Sequence, residues 1–152
     1  MVVDVFELLS RLVIRDHMKF PYVKFDIFYK PVLPVVFKFG EKSFPYQALI
    51  DTGADVSIIH SEIAEQLDLD LGKGGRMQFG GICGSGVGYI HKVDLEIGGY
   101  TFQNIPIVFT KDIHPFGFGI IGHEGLFNQA KLIFELTKKQ FEIIPKNYRR
   151  KQ

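Results

Sequence analysis

Apolar and aromatic residues in this chain fall into short runs separated by turns rich in glycine and proline. Runs with many Val, Ile, Phe and Tyr side chains are typical of β-strands. They predict strands within residues 22–39, 44–50, 56–59, 89–97, 100–103, 105–109, 132–136 and 141–144. Many short strands with one or two short helices predict an all-β fold, either a barrel or a sandwich.

Helices are expected to be few and short. Residues 2–13 carry apolar side chains at helical spacing, which predicts an amphipathic helix that packs on the domain or contacts a partner copy. Ser61 is predicted to cap a helix that ends at Leu67, because serine accepts hydrogen bonds at helix starts. A brief further helix is expected over residues 124–128.

Eight of the 16 glycines lie between Gly72 and Gly88. Glycine has no side chain to pack and the greatest backbone freedom of all residues. This segment is therefore predicted to be a mobile hairpin or loop and not a rigid core element.

Length and charge exclude several classes of protein. A chain of 152 residues favours a single domain. Its 18 basic and 17 acidic residues give a net charge of +1, so no electrostatic footprint for nucleic acid or an anionic membrane is present. The first residues lack the positive leader of a secretory signal, and charges interrupt their apolar run. We expect a soluble, cytoplasmic protein without membrane or nucleic-acid partners.

The chemistry of the chain is predicted at Asp51-Thr52-Gly53, which lies between two apolar segments. A carboxylate at such a turn is held by rigid elements and still faces a surface or cleft. Peptide hydrolysis can use two carboxylates, one ionised to take a proton from water and one protonated to donate to the scissile carbonyl. Two carboxylates in contact share one proton, because both cannot ionise at such close range.

Only one Asp-Thr-Gly is present, and Asp-Ser-Gly does not occur. The second carboxylate must then come from a second copy of the chain, which predicts a homodimer with the two Asp51 side chains at its twofold axis. Three residues alone would equally suit an ordinary turn; their context distinguishes the two interpretations.

The string from Leu49 to Ser57 resembles the active-site signature of retropepsins, the single-domain aspartic peptidases of viruses and cells. Gly119-Ile120-Ile121-Gly122 resembles the apolar element that supports the catalytic loop in that family. The resemblance covers residues 33–144. It implies a retropepsin-like barrel over residues 21–145 with one half-site per chain, preceded by an N-terminal extension, residues 1–20, and followed by a basic tail, residues 146–152.

The resemblance also implies roles for individual residues. Asp51 would be the catalytic acid and base, Thr52 would bond across the twofold axis, and the Gly53 carbonyl would accept from substrate. A flap over residues 79–89 would close on a peptide or protein substrate, and no cofactor is implied. Substrate-binding positions would be Ala54, Asp55, Ile58, Gly81, Ile82, Val87 and Ile120. For the apolar members of this set, core packing is an equal alternative.

One position departs from the family pattern. Many retropepsins carry Arg after the apolar element, where this chain has His123. Arginine would pair with a carboxylate such as Asp55 at any working pH, whereas histidine would do so only when protonated. We therefore expect a more pH-sensitive site or interface than in the Arg version.

Other signals compete with this interpretation. Gly117 to Gly122 matches a dinucleotide fingerprint, which requires a following helix within a parallel sheet. The histidines lack the spacing of metal ligands, and Cys83 has no base near it in sequence. The main rival is a noncatalytic dimerisation or peptide-binding module of the same fold that retains the Asp51 loop.

Overall fold

The structure, a computed structural model, describes residues 13–14, 17–81, 84–115 and 117–146. Its strands are β1 (Val13–Ile14), β2 (His17–Pro21), β3 (Val23–Phe25), β4 (Phe28–Lys30), β5 (Val32–Phe39), β6 (Lys42–Ile50), β7 (Ser57–His60), β8 (Gly75–Gly81), β9 (Gly84–Ile97), β10 (Tyr100–Thr110), β11 (Gly119–Ile121), β12 (Ala130–Glu135) and β13 (Gln140–Pro145). The α-helix of the described part, α1, spans Ser61–Gln66. Short 3-10 turns span Leu71–Lys73 and Leu136–Lys138. The predicted all-β class is confirmed.

Six strands close into a barrel in the order β10, β7, β11, β6, β5 and β9, and the ring is completed where β9 pairs with β10. Strand β8 pairs with β9 alongside the ring. Two neighbouring pairs are parallel, β11 with β6 and β10 with β7. The parallel pair β6–β11 brings the carboxyl ends of both strands to the same place.

One hydrophobic core holds the fold together. Its largest fully buried side chains are Phe37, Phe102, Phe109, Phe141, Leu33, Ile59, Leu67, Leu95, Ile97, Ile105, Ile107 and Ile121. Burying one side chain of this size is worth about 1.5–3 kcal/mol. Buried and half-buried positions alternate along β13, as expected for a strand with one face on the core.

A second sheet has the strand order β1, β2, β13, β12, so β2 lies beside a strand from the other end of the chain. Met18 and Phe20 of β2 are buried in the same core. The Phe20 ring stacks on Phe141 with 5.3 Å between centroids. Residues 17–20, which we assigned to an N-terminal extension, are therefore a core strand.

Two helix predictions need correction. Residues 2–12 of the helix expected over 2–13 lie outside the described residues, and Val13 belongs to strand β1. The cap of α1 is His60 and not Ser61, because the His60 Nδ1 accepts from Glu62 N at 3.3 Å. Ser61 is the first helical residue, with its side chain buried in the core.

The helix expected over residues 124–128 is one irregular turn, which spans His123–Phe127. The backbone angles of Glu124 and Gly125 within it are not helical, and Gly125 has φ +103°. A Cβ at Gly125 would lie 2.8 Å from Pro106 Cδ, so close packing against β10 replaces regular helix here.

The strands expected over 100–103 and 105–109 are one strand, β10, with a bulge between Phe102 and Ile105. Asn104 has φ +56° in this bulge, and its N–H donates to Asp94 Oδ1 at 2.9 Å. A bulge leaves one main-chain group without a ladder partner, and the Asp94 carboxylate supplies that partner.

The glycine-dense segment forms the predicted hairpin, in which β8 pairs with β9 from Gly75–Ile90 to Gly81–Gly84. The hairpin is more regular than expected, because much of the glycine-rich sequence lies in strands. Gly88 permits close packing: a Cβ there would lie 2.5 Å from Val108 Cγ1 and 2.7 Å from Phe109 O. The mobility of this segment stays a prediction.

Candidate active site

Asp51 directly follows strand β6 and begins the loop over residues 51–56. Its N–H donates to Ile121 O at 3.0 Å, which continues the parallel ladder between β6 and β11. The carboxylate accepts from Gly53 N at 2.9 Å through Oδ1. Asp51 is half-buried. Its carboxylate is therefore fixed by main chain and remains open to solvent.

Gly53 is tightly matched to this carboxylate. A Cβ at Gly53 would lie 3.3 Å from Asp51 Oδ1, which is closer than ordinary van der Waals contact. The N–H of Gly53 and the missing side chain together let the carboxylate sit against the turn.

The loop is folded onto the end of β11. Gly122 N donates to Ser57 Oγ at 3.0 Å, and both residues are buried. A Cβ at Gly122 would lie 2.4 Å from Val56 O and 2.7 Å from Ala54 O, and these are main-chain atoms that cannot rotate away. The glycine therefore permits the approach, and Ser57 satisfies its N–H in a buried place.

Two main-chain bonds extend this contact along the loop. His123 N donates to Ala54 O at 2.9 Å, and Glu124 N donates to Asp55 O at 2.8 Å. The His123 side chain reaches further, and its Nε2 donates to the main-chain carbonyl of Thr52. The segment after β11 thus supports the carbonyls of Thr52, Ala54 and Asp55 in the Asp51 loop.

The expected pairing of His123 with Asp55 is not formed; the imidazole bonds to Thr52 O instead. A neutral imidazole with its proton on Nε2 can make this bond, so protonation is not required. The greater pH sensitivity that we expected from His123 stays a prediction, and its structural basis would be the Thr52 contact.

The other predicted site residues divide into two groups. Ala54 and Asp55 lie in the loop beside Asp51, and Ile58 of β7 pairs with Ile120 of β11 next to it. In this first group and the adjoining loop, Thr52, Gly53 and Asp55 are exposed, and Ala54, Ile58 and Ile120 are half-buried. The second group, exposed Gly81 and half-buried Val87, belongs to the hairpin β8–β9. Ile82 lies outside the described residues.

Tyr46 supports the start of β11 from the neighbouring strand. Its hydroxyl accepts from Gly119 N at 2.8 Å. Burial raises the pKa of Tyr46, and the Gly119 hydrogen bond offsets part of this rise. Tyr46 and Ser57 were not selected from the sequence, because a lone polar residue in an apolar strand gives no sign of its partner.

The dinucleotide interpretation finds little support in the described residues. The dinucleotide fingerprint requires a helix after it in an open parallel sheet, but Gly119–Ile121 is itself a strand of the closed barrel. Within residues 17–81, 84–115 and 117–146, His, Asp and Glu side chains form no cluster of three that could hold a metal ion. No helix of the described part is long and apolar enough to span a membrane.

Comparisons with known proteins agree with this architecture. The model of a family described as "gag-polyprotein putative aspartyl protease" matches residues 38–127. The EIAV protease, solved with the inhibitor HBY-793, is 22% identical with a TM-score of 0.51, over 74% of this chain and all of that one. A retropepsin-like aspartic protease from Rickettsia conorii is 16% identical with a TM-score of 0.59, over 82% of this chain and 97% of that one. The search of curated proteins found no match.

Proposed function

Because the chain belongs to the gag-polyprotein aspartyl protease family and has a retropepsin-like fold, we propose that it is a homodimeric aspartic endopeptidase. One observation carries the proposal: the Asp51 carboxylate is fixed by Gly53 N and is open to solvent on a loop that Gly122, His123 and Glu124 hold in place. A general base needs this combination of fixed position and access to water.

In the proposed reaction, a water molecule lies between the Asp51 carboxylates of the two copies. One carboxylate takes a proton from the water, and its protonated partner donates a proton to the carbonyl oxygen of the peptide. The oxygen of the water attacks the carbonyl carbon directly, so no covalent acyl intermediate forms. The shared proton belongs to the pair and not to either carboxylate alone. No cofactor takes part.

The open edge of β12 supports a dimer. In the second sheet, β12 is the last strand in the order of the described residues, so one row of its main-chain groups is available to another strand. Lys131, Ile133 and Glu135 share one face of β12, and Ile133 is 37% exposed. An open strand edge with an exposed apolar residue is a surface on which a second strand can pair.

The charges on this face are complementary to themselves. If two β12 strands pair antiparallel about Ile133, Lys131 of each copy lies opposite Glu135 of the other, and the two Ile133 side chains meet. Lys138 and Gln140 hydrogen-bond to the Glu135 carboxylate and hold its pKa below the ordinary value, so Glu135 is ionised at neutral pH. A twofold dimer has two such opposite-charge pairs.

The flap, residues 79–89, is the third part of the proposal. Its described residues belong to the glycine-rich strands β8 and β9. Closing over the bound peptide would exclude bulk water and strengthen the electrostatic interactions around the dyad.

Cleavage of a mixed peptide library at mildly acidic pH tests the activity, with Asp51→Asn as the matched variant. The proposal expects new peptide termini with the parent protein and none with the variant, while sedimentation shows both as dimers. Cleavage by neither protein with both dimers intact would favour the noncatalytic binding module. A monomeric parent would contradict the shared site itself.

A charge exchange tests the dimer edge. Lys131→Glu places like charges opposite each other and is expected to weaken dimerisation by about three- to thirtyfold, since two pairs turn repulsive. The double variant Lys131→Glu with Glu135→Lys restores opposite charges and should recover most of the affinity. The exposed pair Lys42–Asp68, 3.0 Å apart, is the matched control, and its exchange should leave dimerisation unchanged. Equal dimer affinity in the parent and Lys131→Glu would rule out this edge.

A further inference from the structure

Strand β9 continues beyond the end of β10 on its way into the flap. The last ladder pair of these two strands is Tyr89–Phe109, and β10 ends one residue later at Thr110. Residues 84–88 of β9 are therefore paired with β8 on one side and have no main-chain ladder on the other. Val87 lies in this part of the strand, within the flap.

Two side chains take the place of the missing ladder at Val87. Val87 N donates to Asp112 Oδ2 at 2.8 Å, and Thr110 Oγ1 donates to Val87 O at 2.6 Å. Both main-chain polar groups of Val87 are thereby satisfied by side chains. Asp112 N also donates to Thr110 Oγ1 at 3.0 Å, which fixes the two side chains relative to each other.

The residues on either side of Val87 are glycines, and their missing side chains make room for this contact. A Cβ at Gly86 would lie 3.0 Å from Asp112 Cβ, and 2.5 Å from the tip of the Phe79 ring. A Cβ at Gly88 would lie 3.2 Å from Thr110 Cβ. Thr110 is 2% exposed, so its hydroxyl bonds are shielded from water.

We propose that Thr110 and Asp112 are positioning residues that fix the flap strand at Val87, where β9 extends past the end of β10. We name this pair the flap brace. The hydrogen bonds hold the strand through its main chain, so they set the position of the flap whatever substrate it covers. The kinetic part of the inference rests on the proposed peptidase function; the structural part does not.

Hydrogen exchange of the full-length protein tests the structural part without substrate. Asp112→Ala should raise the exchange rate of the Val87 amide at least about tenfold, since a charge-assisted bond is lost. Asp112→Asn keeps an oxygen acceptor and should retain most of the protection. Asp94→Ala is the matched control, because Asp94 accepts from a main-chain N–H of the same strand pair, at Asn104, outside the flap.

The outcome is clear in either direction. Faster exchange over residues 84–90 in Asp112→Ala alone, with residues 105–109 unchanged, supports the brace. Unchanged exchange in Asp112→Ala, or the same flap exchange in Asp94→Ala, overturns it. Thr110→Val removes the hydroxyl at similar volume and should act like Asp112→Ala, whereas Thr110→Ser keeps the hydroxyl and should resemble the parent.

Peptide cleavage then tests the kinetic part. With the brace lost, a misplaced flap should raise KM severalfold more than it lowers kcat, and Asp112→Asn should rescue both. A merely stabilising role would lower the Tm of Asp112→Ala and Asp94→Ala alike and leave KM unchanged. If the parent cleaves no peptide, the proposed function fails, and the exchange data still decide whether the brace exists.

Discussion

His123 donates a hydrogen bond from Nε2 to the main-chain carbonyl of Thr52, 71 positions earlier in the chain. Thr52 is the residue next to Asp51, so the imidazole holds the loop beside the Asp51 carboxylate. The His123 ring also lies edge-on to Phe127, with 5.6 Å between centroids, which limits its rotation. The His123 side chain thus holds the loop at Thr52, and main-chain bonds from the same segment hold it at Ala54 and Asp55.

Removing this donor should loosen the Asp51 loop. We expect His123→Ala to lower kcat about tenfold with a smaller change in KM, because the loss of one hydrogen bond displaces the carboxylate slightly. His123→Gln can place an amide N–H near the same carbonyl and should retain part of the activity. Steady-state kinetics at one pH provide the measurement, and equal kcat in the parent and His123→Ala would contradict the role.

His123→Arg tests the expected pH dependence. Arginine stays charged, so the variant should show a flatter pH profile of cleavage and dimerisation than the parent. Identical profiles would mean that the charge of the imidazole has no part in either process.

Ser57→Ala leaves the buried N–H of Gly122 without an acceptor. Such a loss costs about 1–3 kcal/mol, so the free energy of unfolding should fall by that amount in urea titrations. Ser43 lies exposed on β6 and provides the control. Ser43→Ala should change the stability by less than about 0.5 kcal/mol, and an equal effect of both substitutions would argue against the Gly122 bond.

Tyr46→Phe should cost about 1 kcal/mol at neutral pH, because Gly119 N loses its acceptor. The pH dependence gives a second test. Burial raises the pKa of Tyr46 above its ordinary 10.0. The folded protein therefore favours the neutral phenol, which adds to the free energy of unfolding. This contribution is complete below pH 10 and is lost as the pH rises through the folded pKa of Tyr46. The Tyr46→Phe variant has no phenol to ionise, so the difference in the free energy of unfolding between parent and variant should narrow above that pH.

Gly122→Ala should disrupt the site more than any of these changes. The added methyl would meet Val56 O and Ala54 O at distances that neither carbonyl can accept without moving the Asp51 loop. We expect at least about a hundredfold loss of kcat/KM and a lower Tm. Gly75 has open space around the position of a Cβ and provides the control. If Gly122→Ala cleaved peptides as well as Gly75→Ala, the close packing would not be needed.

The barrel strands other than β11, and the Asp51 loop, could be predicted because their signals are local. An apolar strand that runs into Asp51-Thr52-Gly53 is legible from neighbouring residues, and so is the hairpin around Gly98 and Gly99. Strand β2 was not predicted, since its apolar residues alternate with polar ones and its partner β13 lies far along the chain. Strands β3 and β4 pair with each other as a local hairpin inside the predicted stretch 22–39, but that stretch gave no separate limits for them.

The supporting contacts of the site could not be predicted for a related reason. Ser57 and Gly122 are 65 positions apart, and Val87 and Asp112 are 25 apart. Each bond joins a side chain to main chain, and such partners follow no sequence pattern. The helix cap is His60 and not the predicted Ser61, because burial of Ser61 in the core outweighs the ordinary preference for serine at a cap position.

The strand order of the second sheet constrains how the chain can fold. His17 on β2 contacts Glu142 on β13 across 125 positions of sequence. During synthesis, β2 must wait for almost the whole domain to leave the ribosome before β13, its partner on one side, exists. The core residues of β2 stay exposed over that interval, and contacts of such long separation close slowly. A newly made chain therefore leaves one edge of β2 unpaired and prone to aggregation until β13 docks.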